Sequence, residues 1–358
     1  MGPAARPLAV LAVLLVLDLV LLFPGGGSDA PGADSRPPRA RVGLVFDVGG
    51  RGDRSFNDSA FAGLERARRE LGVDVEYVEP SGAEDRESAL RLFAARGFDL
   101  VVGVGFIFST DLVVVAREHP DVRFAGVDFA PPADGRIPPN LVGLKFREEE
   151  GSFLVGAAAA LLSRTRHVGF VGGMDVPLIH KFEAGFRTGV RAVCDACRVS
   201  VAYAGVTPEA FKDPARGKEL ALAQIARGAD VLFHASGSTG LGVFEAARQA
   251  RVFAIGVDSD QHDDMPGVVV TSMLKRVDVV LVETVRAVLE GRFRGGIRTF
   301  GLRERGIDWV HQGPHARRIP RAVAARVSEL GRRIASGALV VPSSREALPR
   351  SMGGEAPR

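Results

Sequence analysis

The chain has 358 residues and a mass of 38.0 kDa, enough for about two domains of ordinary size. Hydrophobic residues make up 46% and charged residues 25%, a globular balance that excludes a polytopic membrane protein and a wholly disordered chain. A net charge of +3 with a pI near 9.1 is too small an excess over this length to point to nucleic acid, and two cysteines exclude a disulfide-built scaffold or a cysteine-rich metal site.

The first element is an address label. Leu8–Phe23 is apolar except for Asp18, with Arg6 before it and a Gly-rich stretch after it. That is the layout of a secretory signal peptide. The run is shorter than the roughly 20 residues a spanning helix wants, and an uncleaved membrane anchor is the alternative reading of residues 1–30. No cysteine lies near the cleavage zone, which excludes a lipid anchor on cysteine. Residues 31–40 read as a linker rich in Pro, Gly and Ala. Either way the folded part is expected outside the cytoplasm.

From Arg41 on, short apolar runs alternate with helix-period stretches. Strands are expected at 42–46, 73–78, 100–104, 124–127 and 141–146, with helices at 59–71, 85–96 and 110–118. The pattern then repeats, with strands at 167–171, 198–203, 231–235, 252–257 and 268–271 and helices at 181–193, 215–227 and 241–250. An apolar helix at 151–162 joins the two units; helices at 277–290 and 321–336 follow, and 343–358 reads as a loose tail. Continuous apolar strands separated by amphipathic helices imply βαβ units and parallel sheets. The fold class is therefore α/β, with two parallel-sheet lobes around a hinged interlobe cleft. Lobe 1 is expected to comprise 41–146 plus 273–300, and lobe 2 147–272 plus 301–342. Hinges are expected at 145–148, 272–275 and 300–306.

Ligands of such folds sit beyond the carboxyl ends of parallel strands, so the residues just after each strand are the informative ones. They include Asp47-Val-Gly-Gly with Ser55-Phe-Asn57, and Gly103-Val-Gly-Phe106. Further on come Val171-Gly-Gly-Met-Asp175 with Phe182-Glu-Ala-Gly-Phe186, and His234-Ala-Ser-Gly-Ser-Thr-Gly240. Ile255-Gly-Val-Asp-Ser-Asp-Gln261 and Thr271-Ser-Met-Leu-Lys-Arg-Val-Asp278 follow. With Leu144-Lys-Phe-Arg-Glu-Glu-Glu-Gly-Ser-Phe-Leu-Val-Gly156, these segments carry a resemblance over about residues 42–342. The chain resembles the basic membrane protein family of bacterial solute-binding lipoproteins, whose best-understood member is a purine nucleoside receptor.

The resemblance implies a type I periplasmic-binding-protein fold and a substrate-binding protein that delivers a nucleoside, a purine nucleoside above all, to the permease and ATPase of an ABC importer. It implies that Phe56 and Phe182 stack on the base from opposite lobes, that Asp47 and Asn57 meet the base edge, and that Asp258 and Lys275 reach the ribose. Gly237 would allow close backbone approach, and Phe106 would shape another wall. The residues leave alternatives open. Both Phe side chains could pack in the core, Asn57 or Asp58 could cap the following helix, and Asp258 could serve a turn or a salt bridge with Lys275. No cofactor, catalytic residue or metal is expected, and the protein is expected to be a monomer.

Three motifs compete with this reading. Gly237-x-x-Gly240-x-Gly242 could cradle a phosphate but lacks dinucleotide or P-loop spacing. The run Asp258 to Asp264 is rich in metal-capable groups but lacks the pattern of a calcium loop, so a solvated acidic loop is expected. Cys194-Asp-Ala-Cys197 ends a helix, which disfavours a thioredoxin site; a structural disulfide is expected in an oxidising compartment, with free thiols the alternative. The functional rivals are a nucleoside- or sugar-processing enzyme and a ligand-sensing ectodomain.

Overall fold

The computed structural model describes residues 40–348. The signal-or-anchor segment, the linker up to residue 39 and residues 349–358 lie outside the described residues. The first lobe begins with β1 (Arg41–Val45), α1 (Phe56–Leu71), β2 (Asp74–Val78), α2 (Ala83–Ala95) and β3 (Leu100–Val104). It continues through α3 (Ser109–Glu118), β4 (Arg123–Val127) and β5 (Leu141–Phe146). The second lobe contains α4 (Glu148–Leu162), β6 (His167–Met174), α5 (Pro177–Arg191), β7 (Arg198–Gly205) and α6 (Pro214–Ala226). After these come β8 (Val231–Ala235), α7 (Thr239–Ala250), β9 (Phe253–Asp258) and β10 (Val269–Lys275). The chain ends with α8 (Val277–Leu289), β11 (Gly296–Phe300), β12 (Ile307–Trp309) and α9 (Arg321–Ala335).

Two six-stranded sheets result, in the orders β11-β5-β4-β3-β1-β2 and β12-β10-β9-β8-β6-β7. All pairings are parallel except β12 on β10. Each sheet is thus one strand larger than the five expected. Both added strands come after α8. β11 is an edge strand with its middle residues exposed, and β12 has three residues; neither carries the apolar run that marks a buried strand.

The chain passes between lobes three times, between β5 and α4, between β10 and α8, and between β11 and β12. The crossings are laced together. The Arg147 N–H donates to Phe300 O at 2.9 Å and the Arg276 N–H to Gly306 O at 2.8 Å. One boundary moves. β10 stays in the second sheet through Lys275, because Met273, Leu274 and Lys275 pair with β12, so lobe 2 extends past the break expected at 272.

Helix α4 is buried along nearly its whole length, as its all-round apolar sequence requires. It packs on α5 at backbone contact. A Cβ at Gly185 would lie 2.2 Å from Glu149 O, so only glycine permits this approach. The tail also differs from expectation. Residues 343–348 do not hang free: Arg345 pairs with Glu183 at 2.7 Å and Asp175 at 3.1 Å and lies over the Tyr203 ring.

Candidate functional site

One cavity between the lobes is lined by all eight residues singled out in the sequence: Asp47, Phe56, Asn57, Phe106, Phe182, Gly237, Asp258 and Lys275. The fold explains the convergence. Asp47 and Phe106 follow β1 and β3, Gly237 follows β8, and Asp258 and Lys275 end β9 and β10. The carboxyl ends of the two sheets therefore face each other across the cavity.

The loop after β1 is organised by a residue that the sequence reading passed over. The buried Asp53 carboxylate accepts the N–H groups of Ser55, Asn57 and Asp58 at 2.9, 2.8 and 3.1 Å, satisfying donors that the start of a helix leaves open. Asp53, and not Asn57 or Asp58, thus caps α1. Asp58 instead accepts the N–H groups of Gly52 and Arg54, both at 2.9 Å. Asn57 is spent largely on the loop itself. Its Oδ1 accepts the Asp47 N–H at 3.1 Å and its Nδ2 donates to Asp53 at 3.1 Å. It fixes the position of Asp47 and keeps one amide hydrogen for the cavity.

Asp47 accepts the Val48 N–H at 2.6 Å. Burial pushes its carboxyl up to about 7, against the Val48 hydrogen bond and with a further rise from Asp128. Its neighbour Gly105 has φ +105°, and a Cβ there would sit 2.0 Å from Asp47 Oδ2. The glycine supplies both the backbone conformation and the room.

Phe182 lies in the second turn of α5 and is 3% exposed. It lines the cavity and is also part of the hydrophobic core. Phe56, the first residue of α1, lines the opposite side and is partly buried. The Lys275 ammonium lies 4.9 Å from the Phe56 ring centre and 5.8 Å from that of Phe182.

Lys275 does not bond Asp258. Its Nζ donates to Asp128 at 2.6 Å and lies 3.2 Å from Glu148 as an ion pair without hydrogen-bond geometry, so its donors are not all spent. Burial pulls this lysine's pKa down, but Asp128, Glu148 and Asp258 together outweigh it and hold the ammonium charged. Glu148 in turn bonds Lys181, which also meets Glu149 at 3.3 Å. Burial of Glu148 is more than offset by Lys181 and Lys275, which hold it below its ordinary range. A buried chain of alternating charge thus runs from lobe 1 through two crossings into α5. The local sequence carried one signal for it. Asp128 follows β4 directly, in the left-handed conformation with φ +59°, at the kind of position where site residues gather.

Asp258 sits on the opposite lobe from Ser55, whose Oγ donates to its Oδ2 at 2.7 Å. Burial raises the Asp258 carboxyl to about 6 while Lys275 and Ser55 pull it down. At the rim, Arg54 of lobe 1 pairs with Asp264 of lobe 2 at 2.6 Å. Among the competing motifs, Gly240 and Gly242 are packing residues. Added Cβ atoms would lie 1.9 Å from the His234 ring and 1.8 Å from Pro214 O. His234 is fully buried, bonds Ser236 and Gln261, and is held by burial at about 4, hence neutral. Cys194 and Cys197 are joined by a disulfide at the end of α5.

Comparison with known proteins gives this geometry its context. Residues 40–324 match the family of PnrA-like ABC transporter substrate-binding proteins. An uncharacterized lipoprotein of Pyrococcus abyssi is 34% identical over 306 residues, 83% of this chain and 74% of that protein. A Lactococcus lactis protein named ABC transporter nucleoside-binding protein BmpA is 30% identical over 326 residues, 85% of this chain and 90% of its own length. The crystal structure of an ABC transporter system solute-binding protein from Aeropyrum pernix K1 superposes with a TM-score of 0.75 at 32% identity, over 86% of this chain and 95% of that one. The match covers both lobes and all eight cavity residues: the chain belongs to the PnrA-like family of ABC transporter substrate-binding proteins and has their two-lobed periplasmic-binding-protein fold.

Proposed function

We propose that this protein captures a nucleoside, a purine nucleoside above all, outside the cytoplasm and presents it to an ABC permease. The observation that carries the reading is the make-up of the cavity. Aromatic rings from both lobes, Phe56 and Phe182, share it with Asp47, Asp53, Asp128 and Asp258 and a single cation, Lys275. Flat apolar faces suit a heterocyclic base. Carboxylates suit a ligand rich in N–H and O–H donors. With four carboxylates against one ammonium, a phosphate would meet repulsion in a dry site; this favours a nucleoside over a nucleotide. The name of the Lactococcus lactis relative supports the same ligand class.

Each residue then has a role. Phe56 and Phe182 stack on the base, and Asp47, held by Asn57, accepts hydrogen bonds from its edge. Asp258 accepts from ribose hydroxyls, and a Lys275 hydrogen not spent on Asp128 reaches the same sugar. Gly237 and Phe106 shape the walls. Closure works through the three crossings, and the Arg54–Asp264 contact at the rim latches the lobes over the ligand. Closure excludes water and makes each unpaired polar group costly, which is the source of discrimination.

Ligand-dependent melting against a panel of nucleosides, nucleotides, free bases and sugars tests this. Purine nucleosides should raise the melting temperature, their monophosphates should not, and the nucleoside should be recovered unchanged after incubation. A shift with sugars or nucleotides and none with nucleosides would overturn the ligand assignment. A cleaved nucleoside would make the protein an enzyme.

A further inference from the structure

The acidic run after β9 acquires a partner from far along the chain. His315, in the short turn Pro314–Ala316, stacks on His262 with ring centres 4.4 Å apart and planes 13° from parallel. Both rings have one nitrogen committed. His262 Nδ1 lies 3.0 Å from Val269 O, and His315 Nδ1 lies 2.7 Å from Asp260 Oδ2. A backbone carbonyl and a carboxylate only accept, so each Nδ1 carries the hydrogen. In the neutral ring that leaves the lone pair on Nε2. Asp263 adds a carboxylate beside them, with Oδ1 3.4 Å from His315 Nε2. One ligand-capable atom from each of His262, Asp263 and His315 lies within 4.8 Å of the other two.

We propose that His262, His315 and Asp263 form a binding site for a divalent transition-metal ion of the zinc type. The two Nε2 atoms and one carboxylate oxygen would be the ligands, with the fourth position left to solvent. The chemistry selects the metal class. Two imidazoles with one carboxylate suit Zn²⁺ and its neighbours, whereas Ca²⁺ and Mg²⁺ want oxygen ligands. A tetrahedral ion with bonds of about 2.0–2.1 Å holds its ligands roughly 3.3 Å apart, close to the Asp263–His315 separation. The rings have to tilt together from their stacked arrangement, and the Asp263 side chain, 80% exposed, is free to follow. Asp260 is a positioning residue. A carboxylate on the far nitrogen of a ligating histidine fixes its tautomer and raises its basicity. The competing explanation of the same contacts is a protonated His315 paired with Asp260 and Asp263, needing no metal.

Calorimetric titration of the untagged, chelator-treated full chain with Zn²⁺ separates the two, with Co²⁺ absorption as a second readout. One ion per chain is expected, with a four-coordinate Co²⁺ spectrum. His262→Ala and His315→Ala should each weaken Zn²⁺ binding by at least about 10-fold, and Asp260→Asn by about 10- to 100-fold. His311→Ala should change nothing. Should an alanine variant melt early, His262→Gln and His315→Gln give the same comparison in a folded chain. Equal Zn²⁺ affinity in wild type and both histidine variants would overturn the site. So would Ca²⁺ displacing Zn²⁺ at comparable concentration, the behaviour of a solvated acidic loop.

Discussion

Two buried carboxylates, Asp47 and Asp258, face the cavity with no direct cation partner. Burial raises them to about 7 and about 6, and this has a consequence for stability with a definite sign. Unfolded, Asp47 would titrate near its ordinary 3.8. Between about pH 4 and 7 the native state therefore holds more protons than the unfolded one, and stability falls as pH rises through that window. Above 7 the deficit is constant. Asp47→Asn removes this contribution. Its melting temperature should gain on wild type progressively from pH 4 to 7 and then run parallel to it. A pH-independent difference would mean that Asp47 is solvated and titrates normally. The residue scale is also where sequence reasoning fell short. Asp47, Phe56 and Asp258 were legible because each stands beside a strand end or a helix start. Asn57 was legible as a site residue but not as a positioning one, because its partner Asp53 is defined only by the folded loop. Asp128 stood directly after a strand and could have been found by the same rule. Lys181 and Glu148 could not, since the ion chain joining them to Lys275 is formed by segments far apart in sequence.

The elements were read well where burial dictates sequence. β3, β5 and β8 have the expected limits because central parallel strands are apolar throughout. Helix starts were placed late. α1 begins at Phe56 where 59 was expected, and α5 at Pro177 where 181 was expected, because each first turn follows directly on a loop and carries too few residues to show a helical period. β11 and β12 escaped detection as an edge strand and a three-residue strand. The pair α4–α5 matters most for the site, since it carries Glu148, Glu149, Lys181 and Phe182 together. Gly185→Ala tests that pairing. A methyl 2.2 Å from Glu149 O cannot be accommodated without parting the helices, which should destabilise the protein by about 1–3 kcal/mol. The same shift should disturb the Lys181–Glu148 contact and weaken ligand binding. Gly331→Ala, whose added Cβ would meet Leu154 at 3.5 Å, is the control and should be close to neutral. Equal melting temperatures for both variants would show that the α4–α5 contact is looser than described.

At the scale of the whole molecule, two similar lobes and three laced crossings bring the carboxyl ends of both sheets to one cavity. Among the described residues no helix is long and apolar enough to cross a membrane. In the proposed site the labour divides between stacking by Phe56 and Phe182, one from each lobe, and sugar recognition by Asp258. Phe182 is a poor probe of it, because this ring also supports the core and its truncation would lower stability together with affinity. Asp258 is the better one. The decisive measurement is calorimetric titration of inosine, guanosine, adenosine and hypoxanthine into wild type and Asp258→Ala. Wild type should bind at least one of the nucleosides at a single site. Asp258→Ala should weaken that nucleoside about 5- to 150-fold, the loss of roughly 1–3 kcal/mol expected when a buried hydrogen bond to a charged group is removed, while leaving hypoxanthine binding within a factor of about two. Loss of hypoxanthine and nucleoside binding in equal measure, or no binding of any of the four to wild type, would contradict it.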